Sequence, residues 1–478
     1  MGSGVRSSRR WEWLVALLLV VVSVGADSVG TPGETDDDVS TAYGEWPARI
    51  RPYVEIVETE RDLAFKHPVP VRFLTVADFR RRVTAEEDEL TDRQREEIEQ
   101  NTGLLRAAGL IEGELDLFEA SNDLAGAGII GFYSFKDKRI SLRGSTLGPA
   151  ARATLVHELT HALQDQHFDI GNRAERLEDK KDTSAGEAFD AVVEGDASRI
   201  ETAYVESLSD EERDALAEQQ KAEAGEYKEN VTEVPKILQT FVGAPYALGE
   251  VMLQLAVEMD GNDAVDGLFD KPPTTQEHLF DPWTVLWYRE NAREVDTPPL
   301  EPGEKRFDSG PFGTLTWYVL LAERIPLLDA FDAADGWGGD SYVAFEREGV
   351  TCLRAHYVGD SARDRTQMYD ALTDWIAALP GAPASVRRVG TTLRFESCDP
   401  GPAADVGANA SNIALRFALS RTYLSLGLFT ATGDEAFSQC LADKAIHGLT
   451  RQQLFDPDFA TEDPDEQALI DGFVSDCR

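Results

Sequence analysis

Residues 157–161 read His-Glu-Leu-Thr-His. On a helix, two imidazoles four residues apart leave the same face one turn apart, so both can ligate one metal ion. Glu158 stands beside them, where a carboxylate can act as general base towards water. This spacing works only if the segment is helical, and the surrounding residues agree. Residues 147–166 read as a helix, with Ser145 and Thr146 as candidate N-caps and Pro149 in the first turn. Val156, Leu159 and Leu163 form an apolar stripe apart from the histidines. The chain has seven histidines, and three of them, His157, His161 and His167, fall between positions 157 and 167. That concentration favours a metal site over core histidines that merely hydrogen-bond.

A catalytic zinc takes three protein ligands and keeps one position open. Three residues are candidates for the third. His167 follows His161 by six residues, but that arrangement needs a helix-breaking glycine where this chain has Gln164. Glu194 sits in Val-Val-Glu-Gly-Asp-Ala on a second amphipathic helix expected at 185–208, which also carries Glu187, Asp190 and Glu201. Glu187 lies two turns before Glu194. We take Glu194, because the expected polar loop at 171–184 would turn the chain back and set that carboxylate against the first helix. Zinc histidines usually donate their second N–H to an acceptor, and Asp190 and Asp196 are candidates for that role.

The chain carries 46 Lys and Arg against 87 Asp and Glu, a net charge of −41 over 478 residues. Such a surface repels nucleic acid and anionic lipid, so neither is expected as a partner. The acidic excess runs along the whole chain, which suits a protein adapted to high salt. Arg6, Arg9 and Arg10 precede an apolar run at 14–24 and a small-residue Val24-Gly25-Ala26 site. This reads as an export signal or N-terminal anchor at 1–26, and places the protein outside the cell or at its surface. Cys352, Cys398, Cys440 and Cys477 all lie in the C-terminal third. In an oxidising compartment they make two disulfides, and we expect Cys352–Cys398 and Cys440–Cys477, each pair inside one structural unit.

The expected fold class is α+β and predominantly helical. A flexible acidic linker occupies 27–48. Short strands are expected at 52–56 and 69–74 around a helical 61–66, and a charged helical stretch at 85–109. A hairpin at 128–143 turns near Lys136-Asp137-Lys138 just before the histidine helix. Charged helix is expected at 209–229, apolar helix at 245–259 and buried helix at 313–328, ending before a turn at 336–340. Strands at 342–357 and 386–396 flank a helix at 361–378, and helices fill 404 to the end. The resulting divisions are a main domain at 49–345, a small α/β region at 346–403 and a helical module at 404–478.

His157–His161 together with Glu194-Gly195-Asp196-Ala197 resembles the gluzincin group of zinc metallopeptidases. Residues 154–169 more specifically resemble a family of exported prokaryotic metallopeptidase-like proteins. That likeness extends to Gly131-Phe132-Tyr133, Pro245-Tyr246 with Gly249, 272–280 and 336–340. It implies a zincin-like domain with Zn²⁺ held by His157, His161 and Glu194. It further implies a zinc-activated water, Glu158 as general base, and a peptide or protein substrate. Tyr246 and Tyr204 are candidate donors to the transition-state oxyanion. Thermolysin-like members have an aspartate four residues after the ligand glutamate, and here that position is Ser198. The contrasting expectation is a surface-binding protein that keeps a zincin scaffold without turnover.

Overall fold

Hydrophobic periodicity sorts the chain into many helices and two small sheets. The computed structural model describes residues 44–180, 183–378, 384–404, 410–456 and 464–478. The expected export signal at 1–26 and most of the linker at 27–48 lie outside the described residues. The architecture is α+β and mostly helical.

The first half runs α1 (Arg51–Arg61), β1 (Val71–Leu74), α2 (Val76–Val83), α3 (Asp92–Ala107), α4 (Leu117–Gly128), β2 (Gly131–Ser134), β3 (Arg139–Arg143), α5 (Pro149–Phe168), α6 (Ile170–Lys180), α7 (Thr183–Ser207), α8 (Asp210–Asn230) and α9 (Lys236–Asp270). The strand expected at 52–56 is helix α1. Proline suits a first helical turn, and Val54, Val57 and Arg61 recur at helical spacing to face inward. The loop expected at 171–184 is largely helix α6, whose Ile170, Ala174 and Leu177 pack on the main core at intervals of four and three residues. The hairpin is as expected, in a three-stranded sheet of order β1-β3-β2 with β1 parallel and β2 antiparallel to β3.

α5 carries the histidines. Gly148 is its N-cap with no side-chain cap bond, so neither Ser145 nor Thr146 caps it, while Pro149 does begin it. Every residue from Ala153 to Asp165 is buried, so the expected stripe is a helix enclosed on all sides. Its neighbours are α1, the β2–β3 hairpin, α7 and α8. α9 continues past 245–259 in both directions and kinks at Asp260 and Gly261. Among the described residues it is the one helix long and apolar enough to cross a membrane. It packs between α7 and a C-terminal helix, the place of a core element.

The second half runs α10 (Glu277–Phe280), a π-turn (Thr284–Tyr288), an irregular segment to 304, β4 (Lys305–Gly310), α11 (Thr314–Ala322), α12 (Leu327–Asp335), β5 (Trp337–Arg347), β6 (Val350–Gly359), α13 (Ala362–Ala377), β7 (Ala384–Val389), β8 (Thr392–Cys398), α14 (Ser411–Thr432), α15 (Glu435–Gly448), α16 (Arg451–Leu454) and α17 (Pro464–Asp476). α14 is the helix that packs on α9. The single helix expected at 313–328 is two, because Pro326 starts a new one. The expected 336–340 turn is the start of β5.

The five strands form one antiparallel sheet of order β4-β5-β6-β8-β7. The division expected at 345/346 therefore falls inside β5. One core runs from Leu104 to Ile446 through all three expected units. Cys352 and Cys398 are directly opposite on β6 and β8 and are bonded, with Cα atoms 4.0 Å apart. Cys440 on α15 is bonded to Cys477 just beyond α17. Both pairings are the expected ones, and two disulfides point to an oxidising, extracellular environment.

Candidate metal centre

α5 and α7 present the histidine pair and the glutamate to each other. Glu194 Oε2 lies 3.2 Å from His157 Nε2 and 3.3 Å from His161 Nε2. One ligand atom from each of the three residues lies within 4.8 Å of the other two. The imidazole rings are 4.7 Å apart and nearly perpendicular. Of the three candidate third ligands, only Glu194 joins this group. His167 is half-buried in the last turn of α5, with its Nε2 2.9 Å from the Ala64 carbonyl. Glu187 is half-buried elsewhere, accepts from the Gln276 amide, and is pushed up to about 7 by desolvation.

Backbone proximity makes the Glu194 position possible. Gly195 on α7 and Gly249 on α9 cross so closely that a Cβ on either would run into the other helix's backbone. Only glycine permits that approach. The contact seats the Glu194 turn and carries Tyr246, one turn before Gly249, over the histidines. The Tyr246 ring stacks on His157 at 6.0 Å, and its phenol is held well above the ordinary value by the adjacent Glu194 carboxylate. Tyr246 is 41 % exposed, so it borders the mouth of the site. Tyr204 is placed differently: it is 5 % exposed and packs edge-on to Tyr53 beside Arg152 and Glu212. Those are core surroundings, away from the histidine–glutamate group.

Each histidine is oriented through its other nitrogen. His157 Nδ1 lies 3.1 Å from Glu201 Oε2, and His161 Nδ1 lies 3.1 Å from Gln164 Oε1. With Nδ1–H donating to these acceptors, both Nε2 lone pairs point to one place. Gln164 is itself fixed, its amide donating to the Val193 carbonyl at 3.1 Å and to Asp196 at 3.0 Å. Asp196, fully buried, also accepts from Arg61 at 2.8 Å and Arg199 at 2.9 Å. Arg61 in turn reaches Asp266 beyond the α9 kink at 2.7 Å. Of the two aspartates read from sequence as orienting residues, Asp196 acts one step removed, through Gln164, and the Nδ1 partners of the two imidazoles are Glu201 and Gln164 rather than Asp190. The direct partners, Glu201 and Gln164, went unread in that role. Glu201 had a signal, since it lies seven residues after Glu194 and so on the same helix face.

Glu158 is buried, and the hairpin runs past it. Burial raises its carboxyl above the ordinary glutamate value, against the pull of His161 and His157, and the Tyr133 backbone lies within hydrogen-bonding reach. The hairpin is fastened to α5 by Asp165, which accepts from Tyr133 Oη at 2.9 Å and Lys138 Nζ at 2.6 Å. Gly131 leaves room for Thr154 and Leu142 where a side chain would clash. β2 pairs on one side only, so its second edge is open among the described residues.

Burial would raise Glu194, but His161 and His157 outweigh it and hold the carboxylate well below the usual range. An ionised carboxylate and two imidazoles held by acceptors behind them are the donor set of a zinc site. No protein-family model, no curated protein and no solved structure matches this chain.

Proposed function

We propose that this protein is an exported zinc-dependent metallopeptidase, with His157, His161 and Glu194 as the zinc ligands and Glu158 as the general base. The observation that carries this reading is the convergence of two Nε2 atoms and one carboxylate oxygen with a second, buried carboxylate alongside. Zinc bound there supplies Lewis acidity towards a carbonyl and makes water acidic near neutral pH. Glu158, whose basicity burial increases, takes the proton from the attacking water and delivers it to the departing amine. Tyr246, at the mouth, donates its hydroxyl hydrogen to the oxygen that gains charge. The open edge of β2 pairs with an extended peptide and lays its scissile bond beside Glu158.

The test is cleavage of a peptide library by the full chain in molar salt, with metal content measured in parallel. Cleavage should vanish with a chelator and return with zinc. Glu158→Gln should keep about one zinc per chain while turnover falls at least about 100-fold, the scale of losing a general base. Zinc retained with no cleavage of any peptide by the unmodified chain would favour the surface-binding scaffold. Wild-type turnover in Glu158→Gln would remove Glu158 from the mechanism.

A further inference from the structure

A second group of acids meets outside the histidine site. Glu277 is on α10, Glu290 follows the π-turn, and Asp360 follows β6. One carboxylate oxygen of each lies within 4.8 Å of the other two. Glu290 and Asp360 are exposed, but Glu277 is only 6 % exposed. Its carboxylate has no hydrogen bond or ion pair among the described residues, so a buried charge faces two like charges.

The basic groups nearby are committed elsewhere. Arg293 Nη2 is 3.7 Å from Asp360 Oδ1, but its guanidinium donates to the Gly359 and Asp360 carbonyls at 2.9 and 2.8 Å. His278 accepts from the Thr274 N–H through Nδ1 at 3.2 Å and bonds the Glu290 carbonyl through Nε2 at 3.1 Å. Burial keeps it neutral by lowering its pKa. Asp281 and Asp335 add to the negative charge acting on Glu277, and the buried Arg421 beside them is committed to Asp335 at 2.6 Å and to the Phe280 carbonyl at 3.4 Å. A largely enclosed carboxylate in this company is relieved by a proton or by a cation shared with the other two.

We propose that Glu277, Glu290 and Asp360 bind a hard divalent cation of the calcium class. The donors are all anionic oxygens, with no imidazole or thiolate to favour zinc. Two oxygens on one calcium, each at about 2.3–2.6 Å, are separated by no more than about 5 Å, which the group satisfies. The two exposed carboxylates leave room for water to complete six to eight ligands. Magnesium fits less well, since it demands near-octahedral geometry. The ion would clamp α10, the start of the irregular 289–304 segment and the end of β6. Gln276, next to Glu277, bonds Glu187 on α7, so the clamp abuts the helix that carries Glu194. Its role is structural and does not depend on what the histidine site does.

The test is a calcium titration of the full chain in molar sodium chloride, which suppresses diffuse binding to the acidic surface. Calorimetry and melting curves are read for wild type, Glu277→Gln and Asp360→Asn. We expect about one calcium per chain below about 1 mM, the range of extracellular calcium modules, with a rise in melting temperature. Both variants should lose at least tenfold in affinity, together with the calcium-dependent rise, and keep the wild-type zinc content. Asp360→Asn covers the case in which Glu277→Gln folds poorly. Calcium responses equal in all three proteins, or no response in wild type up to about 10 mM, would mean that Glu277 is relieved by a proton alone, and would overturn the proposal.

Discussion

At the level of single residues, the candidate centre separates what spacing can encode from what it cannot. A four-residue interval between histidines is a local property, so His157, Glu158 and His161 were legible in the sequence. Glu194 was legible only as the best of three candidates, because choosing it required knowing where α7 turns. The orienting partners depend on side-chain reach across two helices. Glu201 reaches His157 where Ser198, the position used in thermolysin-like enzymes, has too short a side chain to take that part. Glu201→Ala should leave the fold intact and weaken zinc binding about 10- to 100-fold, the usual cost of losing such a partner. Gln164→Ala should do the same through His161. Competition with a chromophoric chelator measures it, and unchanged affinity in both variants would remove the orienting role.

At the level of elements, the histidine helix and the hairpin before it were read correctly, while the helix expected at 61–66 ends at Arg61, 245–259 is part of a longer helix and 313–328 is two. Other errors fell where tertiary burial decided the outcome. α1 looks strand-like because Val, Ile and Tyr crowd 53–57, yet Arg61 is drawn in at the helical spacing to meet Asp196. α6 reads as loop because charge dominates it, yet Ile170, Ala174 and Leu177 suffice to dock it. The C-terminal sheet was half seen, because β4 lies beyond an irregular segment that sequence patterns do not join to it.

That segment is strapped to the sheet by charge. Fully buried Arg354 on β6 bonds Glu304 at 2.8 and 2.9 Å, Glu396 at 2.7 Å and the Pro299 carbonyl at 2.9 Å. Hydrogen bonds from Arg354, against the opposing effect of burial, hold the Glu304 carboxyl down at about 2. An unfolded glutamate titrates near about 4.3. The folded value is the lower one, so the strap stabilises fully above about pH 4.3 and is lost as pH falls towards about 2. Glu304→Gln should cost about 3 kcal/mol at neutral pH, because a buried arginine loses a partner. The gap in melting temperature between wild type and variant should narrow from pH 5 to pH 2. A gap that stays constant across that window would mean that the pair contributes nothing through its charge.

For the whole molecule, the controlling quantity is the charge of −41. Its spread along the chain was plain from composition, but composition could not tell which carboxylates are committed. Several acids are tied inside the fold, among them Asp196 to Arg61 and Arg199, and Glu304 to Arg354. Such buried pairs are screened little by salt. The remaining surface acids repel one another, and that term falls as the screening length drops from about 10 Å at 0.1 M to about 3 Å at 1 M. Melting temperature should therefore rise steeply with sodium chloride up to about 1 M and then flatten, since screening saturates. A rise that continues linearly through several molar would point instead to strengthened apolar burial, which excluded salts promote without saturation. A flat or falling curve would show that repulsion among the surface acids does not limit stability.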